Sequence, residues 1–403
     1  MIHPDEARFW TAVFAVLLIL TAADMAPFPA GAAGPDRPAT AAGAYGLSGK
    51  IGAALAQTPT GTGPGRIDPR APRGFAGIPG APRIDYAAAF LWAVWVGWIF
   101  STVGAFGGIM AGVGHLTIFG LGAYAAAFKG TNPTLNALLT DSIRASNQVL
   151  VAAAALISTW NFLRMRRIVV PLGLALGLGS VTGAVLIPWL TAGRVHLREY
   201  VGYFGLAVLV IGGFLFYGTT ARGRRRSAKA REAAEAFRRS ARAGTEAEAA
   251  SGVRLERFSP TRVEFRFSGV PFGFNPLLAA AGGLVIAGLS AFLGIGGGFL
   301  YVPFMTGVVG LPMFIVAGTS ALAVLLSMVV SLFTYVVVKG TFLSWSLVGA
   351  ETAGVIAGAM IGPRTQKYIP DLWLKRIFVV LALYVGLRYF SKGFFGQSWL
   401  PPY

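Results

Sequence analysis

Gly294-Ile-Gly-Gly-Gly298-Phe-Leu-Tyr-Val-Pro303 lies inside one long apolar stretch, and Gly104-Ala-Phe-Gly-Gly108 lies inside another. The two glycine runs stand 190 positions apart, and each follows one apolar segment and leads into a second. Hydrocarbon offers a bare backbone no hydrogen bonds. A helix break at membrane depth is therefore tolerated only where protein or a wet cavity surrounds it. Two such breaks in matching halves point to a binding site between the halves.

Composition sets the surroundings of these runs. The chain has 403 residues, of which 55% are hydrophobic and only 12% charged, about half the charged share of a soluble globular protein. Apolar stretches near the length needed to span a bilayer recur, and they do not alternate polar and apolar residues as barrel strands do. The net charge of +18 does not indicate nucleic acid, because the basic residues flank the apolar stretches, where Lys and Arg set topology. There is no cysteine, which excludes disulfides, thiolate metal sites and thiol catalysis. His3, His115 and His196 are too scattered for a local metal cluster, and no cofactor is implied.

The segments divide into two sets of five. Residues 1–25 read as a signal peptide or an uncleaved signal anchor, with an apolar run from Phe9 to Ala23. Residues 26–83, rich in Ala, Gly and Pro, read as a flexible extracytoplasmic linker. Membrane segments are expected over 84–106, 107–128, 140–160, 168–191 and 199–220, then over 274–293, 297–311, 314–338, 343–362 and 375–392. Residues 221–270 form a basic insert, expected to be helical over 221–250 and a short strand pair over 253–267, with Val263, Phe265 and Phe267 on one side. A tail covers 393–403.

Positive charge orients the sets. The insert carries Arg222, Arg224, Arg225, Arg226, Lys229, Arg231, Arg238, Arg239 and Arg242, so it belongs in the cytoplasm. The Arg164-Met-Arg-Arg167 turn and the group Arg364, Lys367, Lys375 and Arg376 then also fall inside, with Arg194 and Arg198 as mild exceptions. The first set starts outside and the second inside. The expected fold is an all-α polytopic membrane protein of two inverted repeats, 84–220 and 271–392, each with a glycine-broken hairpin.

Helices that start just after a glycine run present unpaired amide donors and a positive dipole end, suited to an anion. This makes Gly104, Gly107, Gly108, Gly294, Gly296, Gly297 and Gly298 candidate binding residues. His115 follows the first run. Asp141, Arg144 and Gln148 share a helix face, with Asn147 beside them, and Arg144 offers a fork to an oxyanion or an ion pair to Asp141. Thr319 and Ser320 on the matching helix offer hydroxyls to an anion or to their own backbone. Glu351, mid-helix, is the candidate for proton coupling or for simple pairing.

Gly294-Ile-Gly-Gly-Gly-Phe-Leu-Tyr-Val-Pro303 resembles the signature of the TauE/SafE family, carriers of sulfite and related sulfur-containing anions. The resemblance spans about 86–220 and 274–392, and the first copy has neither the triple glycine nor the proline. It implies a secondary transporter in the bacterial inner membrane, moving sulfite or an organosulfonate by alternating access. The partners implied are a small anion and the lipid bilayer, with a homodimer as an open option. An anion channel, or an assembly or scaffold protein using the insert, are the alternatives. No enzymatic role is expected, since there is no cysteine, no histidine cluster and no pair of intramembrane carboxylates.

Overall fold

The computed structural model describes residues 44–47, 49–104, 107–191, 197–220, 228–244, 250–291 and 297–400. The N-terminal apolar run, Gly294 and Gly296 lie outside the described residues. The chain is mostly helical. Its helices are α1 (Gly49–Ala56), α2 (Tyr86–Val103), α3 (Gly107–Ile118), α4 (Leu121–Ala127), α5 (Pro133–Arg164), α6 (Val170–Thr191), α7 (Leu197–Thr219) and α8 (Ala228–Ala243). After the strands β1 (Arg254–Phe258), β2 (Val263–Phe267) and β3 (Val270–Phe274) comes α9 (Pro276–Ala291). Next is α10, made of a 3-10 turn Gly297–Leu300, a single α turn Tyr301–Pro303 and a π turn Phe304–Val308. The chain ends in α11 (Met313–Val338), α12 (Trp345–Gln366) and α13 (Asp371–Phe395).

Among the described residues, α2, α11, α12 and α13 are long and apolar enough to cross a membrane. A fifth span results if α3 and α4, bent by 58° at their junction, count as one. Every expected membrane segment contains a helix, but the second and seventh are interrupted. Asn-Pro pairs start two of the helices. Asn132 Oδ1 accepts from Leu135 N–H at 3.0 Å ahead of α5, and Asn275 Oδ1 accepts from Leu277 N–H at 2.9 Å ahead of α9. Proline then occupies the first turn, where its missing N–H costs nothing.

Contacts divide the chain into two compact units. One holds Tyr86–Val113, Leu150–Ser327 and Gly349–Tyr403. Within it, α2 packs on α12, α9 on α6 and α7 on α13. Glycines set these approaches. A Cβ at Gly354 would strike the Phe90 carbonyl oxygen and one at Gly358 that of Val94. On the other pair, a Cβ at Gly179 would strike the Ala280 oxygen and one at Gly183 that of Leu284. Small residues bring membrane helices into backbone contact, where dispersion replaces the missing hydrophobic drive. Helices α7 and α13 run antiparallel, with Gly202 beside Phe394, Gly205 beside Phe390 and Gly212 beside Leu383.

The insert belongs to the same unit. Its sheet has the antiparallel order β1-β2-β3, with Val263, Phe265 and Phe267 buried as the alternation predicts. The expected pair has a third strand, Val270-Pro-Phe-Gly-Phe274, which alternates on the same period with Val270, Phe272 and Phe274 buried. On α8, Ala230, Ala233, Ala234 and Phe237 are buried, and Phe237 stacks on Phe267 at 5.4 Å and tilts against Phe314 of α11 at 4.9 Å. The insert is therefore bound into the helical bundle.

The second unit holds the described residues up to Asp85, Gly114–Val149 and Met328–Val348. It corrects the reading of 26–83 as a flexible linker over residues 49–83, while 26–43 lie outside the described residues. From Gly49 onward this segment buries Ile51, Leu55, Ile67, Phe75 and Ile78. Asn132 Nδ2 donates to Ala54 O at 2.8 Å and to Thr58 Oγ1 at 2.9 Å, and Thr131 Oγ1 donates to Gly65 O at 2.7 Å. Proline and glycine shape these turns, and a few isolated apolar side chains suffice to anchor them.

Candidate functional site

The interrupted helices come together inside the first unit. Gly107–Val113 packs against Gly297–Leu300. Between α2 and α3, Gly104 holds φ at 98°, a conformation that glycine takes without strain. A Cβ there would lie 2.6 Å from Val302 Cγ2 and 3.1 Å from Ser320 Oγ. Gly104, α10 and Ser320 of α11 thus share one place. Gly107 and Gly108 are glycine for packing: a Cβ on Gly107 would meet Phe100 at 2.6 Å, and one on Gly108 would meet Val151 at 3.2 Å. Gly298 is buried, and Gly297 opens the 3-10 turn.

Buried hydroxyls lie on the helices of this unit. Thr319 Oγ1 donates to Ile315 O at 2.7 Å and accepts from Val169 N–H at 3.1 Å. Ser320 Oγ donates to Ala317 O at 3.0 Å. Tyr301 of α10 is fully buried, its hydroxyl shared with Ser180 and Ser327. Ser180 also reaches Gly283 O of α9 at 3.1 Å. The buried hydroxyls of Ser158 and Thr159 on α5 have no hydrogen-bond partner among the described residues. The hydroxyls of Thr319 and Ser320 can rotate their protons from a helix carbonyl toward a stronger acceptor such as an oxyanion. Glu351, 1% exposed, sits on α12 one turn before the Gly354 contact with α2.

At the turn after α5, Arg167 is fully buried. Its guanidinium donates to Pro363 O at 3.1 Å and to Gln366 Oε1, and lies 4.9 Å from the ring centres of both Phe162 and Phe237. Gln366 Nε2 in turn donates to Thr102 O at 2.7 Å and Met313 O at 3.3 Å. Val253 N–H donates to Arg166 O at 2.7 Å. One cation thus joins the α5–α6 turn, α12 and the insert, held in an aromatic cage where the planar guanidinium is well matched.

The other unit contains the remaining sequence-predicted residues. His115 is buried in the π turn of α3 and meets Phe119 edge-on at 6.1 Å. Arg144 is 39% exposed and lies 3.9 Å from Asp141, which also holds Lys339 at 3.0 Å. The structure thus shows the ion-paired alternative for Arg144. Gln148 Oε1 accepts from Ser331 Oγ at 2.6 Å, and Asn147 is buried beside it. One helical turn apart, Ser142 and Ser146 carry buried hydroxyls without a hydrogen-bond partner among the described residues.

The family model described as "Sulfite exporter TauE/SafE" matches residues 89–389. The chain belongs to the TauE/SafE family. No curated protein and no solved structure matches it. Membership makes it a transporter of sulfur-containing anions in class, from a family of carriers rather than of enzymes, and its apolar helices make it a membrane protein. The TauE/SafE match takes in both interrupted helices and every candidate residue, and it leaves out α1 and the turns up to Ile84.

Two features of this TauE/SafE protein escaped the sequence reading. Arg167 stood in a basic turn and was read as a topology signal, yet a buried arginine needs tertiary partners that no local pattern reveals. Tyr301 lay within the quoted signature, where the glycines drew the argument and the hydroxyl did not.

Proposed function

We propose that the chain carries sulfite or an organosulfonate across the bacterial cytoplasmic membrane by alternating access of two oppositely oriented halves to one central site. The observation that carries this reading is the contact of Gly107–Val113 with Gly297–Leu300 beside Gly104 and Ser320. A sulfur oxyanion presents several acceptor oxygens and needs converging donors in a dry site. Amide groups at the interrupted helices and the hydroxyls of Thr319, Ser320 and Tyr301 are of the required kind.

The two-fold relation has its own support. Tyr86 and Pro276 start α2 and α9, Gly107 and Gly297 start the interrupted helices, Gly114 and Phe304 start their π turns, and Gly120 and Gly310 end them with φ of 69° and 77°, each pair 190 positions apart. The first helix of each half packs on the fourth of the other, with Gly354–Phe90 answering Gly179–Ala280 and Gly358–Val94 answering Gly183–Leu284. Such reciprocity is what a two-fold axis produces. The fifth helices, α7 and α13, run antiparallel, as inversion requires. In this reading Glu351 carries a coupling proton, and the insert faces the cytoplasm.

Flux of labelled sulfite, sulfate, thiosulfate and a sulfonate into proteoliposomes, with and without a pH gradient, tests the proposal. Saturable uptake of sulfite or the sulfonate is expected, accelerated by the gradient in the native chain and not in Glu351→Gln. Flux of all four anions no faster than in protein-free liposomes would overturn it.

A further inference from the structure

Two adjoining cavities, of about 410 and 220 Å³, lie where α8 and β3 meet the ends of the membrane helices. The larger is walled by Leu215 and Tyr217 of α7, Lys229 of α8, Phe272 of β3, Val309 and Lys375 of α13. The smaller is lined by Arg231, Glu235 and Arg238 of α8 with Asp371 and Lys375 of α13. Gly218 and Lys375 line both.

Charge within the pair is unbalanced. Lys375 lies 2.7 Å from Asp371 and Arg231 lies 3.1 Å from Glu235, so two of the four cations are neutralised in place. Asp371 is further engaged, accepting from Met313 N–H at 2.7 Å. Lys229 and Arg238 have no carboxylate partner among the described residues. Arg238 Nε is buried with no hydrogen-bond partner among them. A buried guanidinium N–H is a costly donor to leave unmade, and it favours an anion at that place. The surroundings then select the kind of anion. Beside the cavities, Phe216, Tyr217 and Val308 are exposed. A ligand seated there meets cations at one end and hydrocarbon-compatible surface at the other.

We propose that these adjoining cavities bind the headgroup of an acidic phospholipid, with its phosphate on Arg238 in the smaller cavity, Lys229 adding positive charge from the larger one, and its acyl chains passing Leu215, Phe216 and Val308. Basic pockets at the ends of membrane helices suit anionic headgroups for the same electrostatic reason. The site shares no lining residue with the Gly107–Val113 contact on Gly297–Leu300, although Thr306 and Gly307 of α10 line it, and it joins the insert to α7 and α13 through the lipid.

The test uses the full chain purified in neutral detergent. Binding and thermal unfolding are measured with added dioleoylphosphatidylglycerol, dioleoylphosphatidylcholine of the same chain length, and inorganic phosphate. Phosphatidylglycerol should be retained by native mass spectrometry and should raise Tm, while the other two leave Tm unchanged. The double variant Lys229→Gln/Arg238→Gln should lower phosphatidylglycerol affinity roughly 30-fold, from the two positive charges removed. The charge-keeping pair Lys229→Arg/Arg238→Lys should bind as the native chain does, which guards against misfolding as the cause. Equal binding of phosphatidylcholine, equal stabilisation by inorganic phosphate, or undiminished phosphatidylglycerol binding in the Gln double variant would each overturn the proposal.

Discussion

Gly104 is where the backbone says most about the site. Its φ of 98° and the 2.6 Å clearance to Val302 leave no room for a side chain. Gly104→Val should combine backbone strain with overpacking, lowering stability by about 2–4 kcal/mol and sulfite flux to a few per cent of native. Gly104→Ala should do the same more mildly. Thermal unfolding in detergent beside flux in proteoliposomes measures both. A Val variant with native flux would show that Gly104 lies away from the moving parts. The glycine run was legible in the sequence because glycine in an apolar stretch has few other reasons to cluster. Arg144 was legible only as two alternatives, since a helix face shows which groups can meet and leaves open which do. Arg167 was not legible, because its partners Pro363 and Gln366 lie nearly 200 positions away.

The elements were better announced than their interruptions. Hydrophobicity over about 20 residues marks a membrane helix, and all ten expected segments contain helix. The π turns Gly114–Ile118 and Phe304–Val308 left no local sign, although such turns often mark functional sites. The segment after Gly49 was misread because its few apolar residues show no period, and it folds by meeting other elements. β3 was hidden because its alternating residues run into the apolar start of α9. Matched glycine contacts yield a prediction at this scale. Gly358→Leu should force α12 from α2, and Gly183→Leu should force α6 from α9, each costing about 1–3 kcal/mol. If the two contacts are equivalent by a two-fold relation, the two variants should lose Tm by similar amounts. A large loss in one and none in the other would argue that the contacts are unrelated.

At the scale of the whole molecule, the proposed transport mechanism depends on two halves that thread the membrane in opposite senses. The repeated spacing of 190 positions, the exchanged first and fourth helices, and the antiparallel fifth helices are what that proposed arrangement would produce. Opposed halves give an anion site two equivalent routes of access, one to each face, which is the basis of alternation by rocking. Matching loops of the two halves must then lie on opposite sides of the bilayer. The loop between the fourth and fifth helices is the sharpest place to ask. It carries Arg194 in the first half, against the charge rule, and Tyr368, 72% exposed, in the second. Because the chain has no cysteine, Arg194→Cys and Tyr368→Cys each place a single thiol. In intact cells, a membrane-impermeant maleimide should label Arg194→Cys at once and Tyr368→Cys only after permeabilisation. Labelling of both variants from the same face would contradict the inverted architecture.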